Sequence, residues 1–157
     1  RDQNINFGLY PSYQGVVNAI VTENSEVIKF ILNLNLITDK KKLSYINKNL
    51  NSYPINSLDM LKWYFVNGFV FDSMQANISA VGFCIENVEF LAAQGILPNI
   101  IGANELVIRC NEENYKYTVF MLEWLAEHAI LPNSDVYLET SLDFQIRQWL
   151  QRHGISR

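Results

Sequence analysis

Val88-Glu89-Phe90-Leu91-Ala92-Ala93-Gln94-Gly95-Ile96 sets the reading of the whole chain. Val88 and Leu91 stand three apart and share one face of a helix, with the ring of Phe90 beside them. Gly95 falls where such a helix stops, because glycine enters the left-handed conformation that reverses the chain without steric cost. Ile96 is then placed to fold back on the helix just completed. Working outward, the same arrangement returns as Phe30-Ile31…Asn35-Leu36, Trp63-Tyr64…Gly68-Phe69, Trp124-Leu125…Ala129-Ile130 and Trp149-Leu150…Gly154-Ile155. The aromatic positions lie 33, 27, 34 and 25 residues apart. Two residues before them stand Ile28, Leu61, Val88 and Leu122; in the last copy Arg147 breaks this column, with Ile146 beside it. Asn35 replaces glycine at little cost, whereas Ala129 is a strained substitute.

A second column supports the first. Four residues after each stop come Asp39, Asp72, Asn99 and Asn133, residue types whose side chains cap the first N–H groups of a helix. Apolar residues at spacings of three and four follow them: Leu43, Ile46 and Leu50; Met74, Ile78 and Val81; Ala103, Leu106, Val107 and Cys110. This spacing predicts helices, with residues 134–140 a single turn and 12–21 an opening helix. Each unit is then a helix, a connector, a second helix ending at the stop, and a short return. The expected fold is all-α: a solenoid of about five degenerate helical pairs in a single domain over 1–157, with units ending near Asn35, Gly68, Gly95, Ala129 and Gly154. Phe30, Trp63, Phe90, Trp124 and Trp149 are expected to form a dry seam between successive units rather than a stacking platform for bases.

These units resemble ankyrin repeats. Residues 88–96 match the second ankyrin helix and its closing glycine, 122–130 match it nearly as well, and the resemblance spans about residues 20–155. The Leu-x-Trp-Leu…Gly-Ile form is similar to that of the ankyrin-like proteins abundant in large AT-rich DNA viruses. The resemblance implies a protein–protein interaction module. Ankyrin repeats open their first helix with Thr-Pro-Leu-His, which is absent here, and insert a β-hairpin finger after the stop. Here Leu36-Ile37-Thr38, Phe69-Val70-Phe71, Ile96-Leu97-Pro98 and Ile130-Leu131-Pro132 alone fill that place, too short for a finger. A stack without fingers is expected, and binding through hairpin tips is not implied.

Composition narrows the function classes. Hydrophobic residues make up 49% of the 157 and charged residues 18%, which excludes a disordered chain. Two Cys and two His leave little with which to build a zinc site or a disulfide framework. A net charge of −4 supplies no field toward nucleic acid or an anionic membrane. Residues 1–78 carry 7 basic and 6 acidic side chains, and residues 79–157 carry 5 and 10. Cys84 and Cys110 sit among apolar neighbours, where a thiol behaves as a small buried hydrophobe. Reduced thiols place the chain in a reducing, cytoplasmic setting, the host cytoplasm or a virion included. Arg1 in first place implies a piece of a longer chain, and 18 Asn with 16 Ile imply an AT-rich coding sequence.

The catalytic signatures of dinucleotide, phosphate, acyl-transfer and zinc-hydrolase sites are absent, so the expectation is a non-enzyme with no cofactor, metal or small-molecule substrate. His128 and His153 precede stops, where an imidazolium favours the helix dipole. Connectors carry recognition more often than cores. Tyr53, Tyr115 and Tyr117, read as lying in polar connectors, and the run Lys40, Lys41 and Lys42 are accordingly the candidate contacts with a protein partner. A structural subunit, or an appended non-catalytic domain, of a larger assembly such as a virus particle is the alternative reading.

Overall fold

The computed structural model describes residues 50–138 and 142–157, together with Ala19, Ser44, Asn47 and Lys48. The chain divides into two compact units, 1–49 and 50–157, and every element named below belongs to the second. The stop expected at Asn35, the ring of Phe30 and the cap Asp39 lie outside the described residues. All regular structure among the described residues is helical: α1 (Leu58–Val66), α2 (Ser73–Val81), α3 (Ile85–Ala93), α4 (Ile100–Ile108), α5 (Tyr115–Glu127), a 3-10 helix (Ser134–Leu138) and α6 (Phe144–Arg152).

The helix ends follow from backbone chemistry. The last carbonyls of a helix lack intrahelical donors, and a left-handed residue swings its own N–H and that of the next residue back to them. Gly68, Gly95 and Gly154 have φ of 82°, 78° and 74°, and Ala129 has 59°. After each, the next residue reaches five positions back: Phe69 N–H to Tyr64 O at 3.1 Å, and Ile96 to Leu91, Ile130 to Leu125 and Ile155 to Leu150, each at 2.9 Å. The apolar pair so joined packs as the motif requires, with the rings of Tyr64 and Phe69 edge to face at 5.3 Å. The end of α2 was not expected. Gly82 keeps an ordinary φ, and Phe83 beside it is the left-handed residue at 58°, with Cys84 N–H closing on Ser79 O at 2.9 Å.

The helix starts extend the pattern into three dimensions. Asp72 Oδ1 accepts from Met74 N–H at 2.9 Å, Asn99 Oδ1 from Ile101 N–H at 3.0 Å, and Asn133 Oδ1 from Asp135 N–H at 3.1 Å. Ser57 and Asp143 also cap, at the starts of α1 and α6. The N–H of each of Asp72, Asn99 and Asn133 is in turn held by an asparagine from earlier in the chain. Asn51 Oδ1 accepts from Asp72 N–H at 2.9 Å, Asn77 Oδ1 from Asn99 N–H at 2.8 Å, and Asn104 Oδ1 from Asn133 N–H at 3.0 Å. The amide nitrogens complete the rungs. Asn51 donates to Val70 O, Asn77 to Asn99 Oδ1 and Asn104 to Asn133 Oδ1, at 2.9–3.0 Å.

Helix α1 lies against α3, α2 against α3 and α4, α4 against α5 and the 3-10 helix, and α5 against α6. The core is centred on the residues flanking the aromatic column, with Trp124 packed against it and Trp149 within it. Leu61 and Tyr64, Val88 and Leu91, and Leu122 and Leu125 are buried, while Trp63, Phe90 and Trp124 are half-buried. At 100° per residue the aromatic lies about 130° from the centre of the stripe formed by the positions two before and one after it. In α6, Arg147 is exposed and Ile146 enters the core, which turns the stripe toward Trp149 and buries that ring completely.

Helix α2 departs furthest from expectation. Its core face consists of Gln75, Ala76, Ser79 and Ala80, while Met74 is exposed and Ile78 and Val81 are half-buried. Small side chains there admit α4, whose Gly102 passes so close that a Cβ at this position would sit 2.8 Å from Asn77 Cγ. Buried Gln75 is satisfied by turning its amide nitrogen to the carbonyls of Leu50 at 2.9 Å and Tyr53 at 3.0 Å.

Two results are expected in urea unfolding. A Cβ on Gly95 meets nothing within 4 Å, so Gly95→Ala loses about 1 kcal/mol through backbone strain alone, and Ala129→Gly gains about the same. Asn104→Ala leaves the N–H of Asn133 without its acceptor and costs about 1–3 kcal/mol; midpoints shifted in these directions at constant m verify both.

Candidate functional site

Met74 of α2 is exposed, and with half-buried Ile78 and Val81, the latter also packed against the core, it forms one wall of a groove. Met74, Ile78 and Val81 face Ile101 and Gly102 of α4, and the groove encloses about 570 Å³. Met74 is 52% exposed and Ile101 62%, so the two helices each set one apolar side chain on the rim of the groove. Ser73, Asn77 and Asn99 close one end, where Asn99 Nδ2 also donates to Ser73 Oγ at 3.2 Å. At the other end lie Gly82, Glu105 and Arg109, and Arg109 Nε donates to Glu105 Oε2 at 2.7 Å.

The connectors border this second end. Asn111 Oδ1 accepts from the N–H groups of Glu113 (2.9 Å) and Asn114 (3.0 Å), and Asn114 Nδ2 returns to Arg109 O at 3.0 Å. Tyr115 and Tyr117 were expected in the polar connector; they occupy the first turn of α5 instead, because this asparagine-bonded turn ends at Asn114 and the helix begins at once. Tyr115 packs against the core, whereas Tyr117 is 64% exposed, with its ring 5.9 Å from that of Phe83. Tyr53 is half-buried, and its carbonyl receives Gln75. Lys40, Lys41 and Lys42 lie outside the described residues. Of the six candidates, Tyr117 is the exposed one among the described residues, its ring near that of Phe83, one residue past Gly82 at the groove end. Sequence reasoning missed the groove because Met74, Ile78 and Val81 read as a core face.

The histidines occupy equivalent places. His128 Nδ1–H donates to Trp124 O at 2.8 Å and its ring stacks on Trp124 at 3.8 Å; His153 repeats this on Trp149 at 2.9 Å and 3.9 Å. Glu123 joins the last two helices, accepting Trp149 Nε1–H at 2.7 Å and lying 3.6 Å from His153 Nε2. This arrangement clamps α6 to α5. Among the described residues no group of three or more His, Cys, Asp or Glu is placed to hold a metal ion, and no helix is long and apolar enough to cross a membrane.

Cys84 and Cys110 stand outside any disulfide, each half-buried. Burial pushes the Cys110 thiol up from its ordinary value, opposed by a hydrogen bond from Thr118 and reinforced by the charge of Asp143. A raised thiol pKa leaves less thiolate at a given pH. In a Cys84→Ser background, iodoacetamide alkylation of Cys110 is therefore expected to stay slow where a free cysteine already reacts, and to accelerate only at higher pH. A stopped pH–rate series on the folded chain checks this. Compared with known protein families, with curated proteins and with solved structures, the chain matches none.

Proposed function

We propose that this chain is a protein–protein interaction module, built as a solenoid of degenerate ankyrin-like helical pairs without hairpin fingers. Supporting the architecture, the second element of each pair ends in a left-handed stop: α3 after α2 at Gly95, α5 after α4 at Ala129, and α6 after the 3-10 helix at Gly154. The first helices of successive pairs are joined by the asparagine rungs. On this reading the chain binds and does not catalyse.

The observation that carries the proposal is the outward apolar stripe of α2. Burying Met74, which is 52% exposed, in the chain's own core would be worth up to roughly 1.5–3 kcal/mol, and half-buried Ile78 and Val81 would gain less, yet the core face is given to Gln75, Ala76, Ser79 and Ala80. A fold that forgoes this burial holds those side chains for another surface. The rigid floor beneath them, fixed by Gly102 against Asn77, limits the ordering cost of binding.

The test is affinity capture with the full chain as bait, paired with a Met74→Asp, Ile101→Asp double variant. Both positions are exposed, so helicity by circular dichroism is expected to be unchanged. Proteins retained by the unmodified chain and lost from the variant support the module; identical recovery by both, or no recovery above background by either, overturns it.

A further inference from the structure

We infer that the α2–α4 groove receives a short amphipathic helix of a partner protein, with its basic end lying over the connector from Arg109 to Tyr117. This rests on the reading of the chain as a protein-binding module and names the chemistry of what it binds. The groove has the form such a helix needs. Two nine-residue helices flank it, about 13 Å long at 1.5 Å per residue. Their apolar side chains Met74, Ile78, Val81 and Ile101 receive anchors spaced at three and four on a partner helix, which is how amphipathic helices seat in grooves.

Charge orients the occupant. Gly82, Glu105 and Arg109 line one end of the groove; exposed Glu86 follows Gly82 by four residues, and exposed Glu112 and Glu113 lie in the turn that Asn114 bonds back to Arg109 O. The cations in the same stretches are Arg109, held by Glu105 at 2.7 Å, and Lys116. The balance at this end is negative and calls for Lys or Arg from the partner. The aromatic pair adds to it. Tyr117 is 64% exposed beside Phe83, and the face of such a ring attracts an ammonium or guanidinium group. Acidic polymers such as nucleic acid meet the wrong sign here. Among the described residues, α6 is what a second copy of this chain offers, and its exposed face carries Arg147 and Arg152 but Phe144 as its apolar contribution, too few anchors for the groove.

The probe is a fluorescein-labelled peptide of about 18 residues, with Leu at helical spacings of three and four and a run of Lys and Arg at one end. Two controls replace the basic run by Glu or the Leu residues by Ser. Fluorescence anisotropy against the full chain is expected to show the basic peptide binding at least about tenfold more tightly than either control. The preference for the basic tail reverses on the Glu112→Lys, Glu113→Lys double variant, whose sites are exposed loop positions, and both peptides lose affinity on Met74→Asp, Ile101→Asp. Equal binding of the two tails, or a preference unaffected by the charge reversal, overturns the inference. So does self-association of the chain that Met74→Asp weakens, since it seats a second copy in the groove. In each of those cases a cellular protein still captured by the unmodified chain and lost from the groove variant leaves the broader module reading intact.

Discussion

An asparagine side chain donates and accepts at once, and the arrangement of residues 50–157 depends on that property. The N–H of a helix-capping residue belongs to no helical ladder, and at a half-buried junction it needs an acceptor. Asn51, Asn77 and Asn104 supply one, and turn their amide nitrogens to the next segment. Each rung fixes one helix start against an earlier element in both directions along the bond, which a purely apolar contact does not do. The approach of α4 to α2 follows from it. Asn77 lies across Gly102, and the helices meet over Ala76, Ala80 and Ala103. With such small side chains between them, the larger ones of α2 are left on the outside, and the groove is the result.

The helix stops were legible because they are local. A left-handed residue five positions beyond the aromatic is determined by the chemistry of three or four neighbouring residues, and Gly68, Gly95, Ala129 and Gly154 all satisfy it. The caps Asp72, Asn99 and Asn133 were legible for the same reason. Which face of a helix meets the core is not local. Spacing at three and four marks Met74, Ile78 and Val81 as one stripe, but only the neighbour across the interface decides whether that stripe is covered. The same blindness gave Trp63 and Phe90 the same place as Trp149; they are half-buried, while Leu61, Val88 and Leu122 are fully buried and Trp149 alone of these rings is within the core. The asparagines show a third kind of loss. Their abundance reads as a property of the coding sequence, whereas their placement at 51, 77 and 104 is understood only once the partners at 72, 99 and 133 are brought alongside.

Phe83 is where local strain and candidate surface coincide. A left-handed conformation costs a residue with a side chain about 1–2 kcal/mol, and Gly82, one position earlier, takes an ordinary conformation. Stopping α2 one residue sooner would put the glycine at the left-handed position and remove the cost. It would also shift the ring of Phe83, which packs on the core and lies against Tyr117. The register observed therefore favours the position of that ring over the ease of the turn. Strain persists where surrounding contacts over-determine a conformation, and here those contacts are with the core and the ring of Tyr117, and they hold Phe83 one residue past the groove-lining Gly82. The helix could end more cheaply, but it could not then present Phe83 and Tyr117 together.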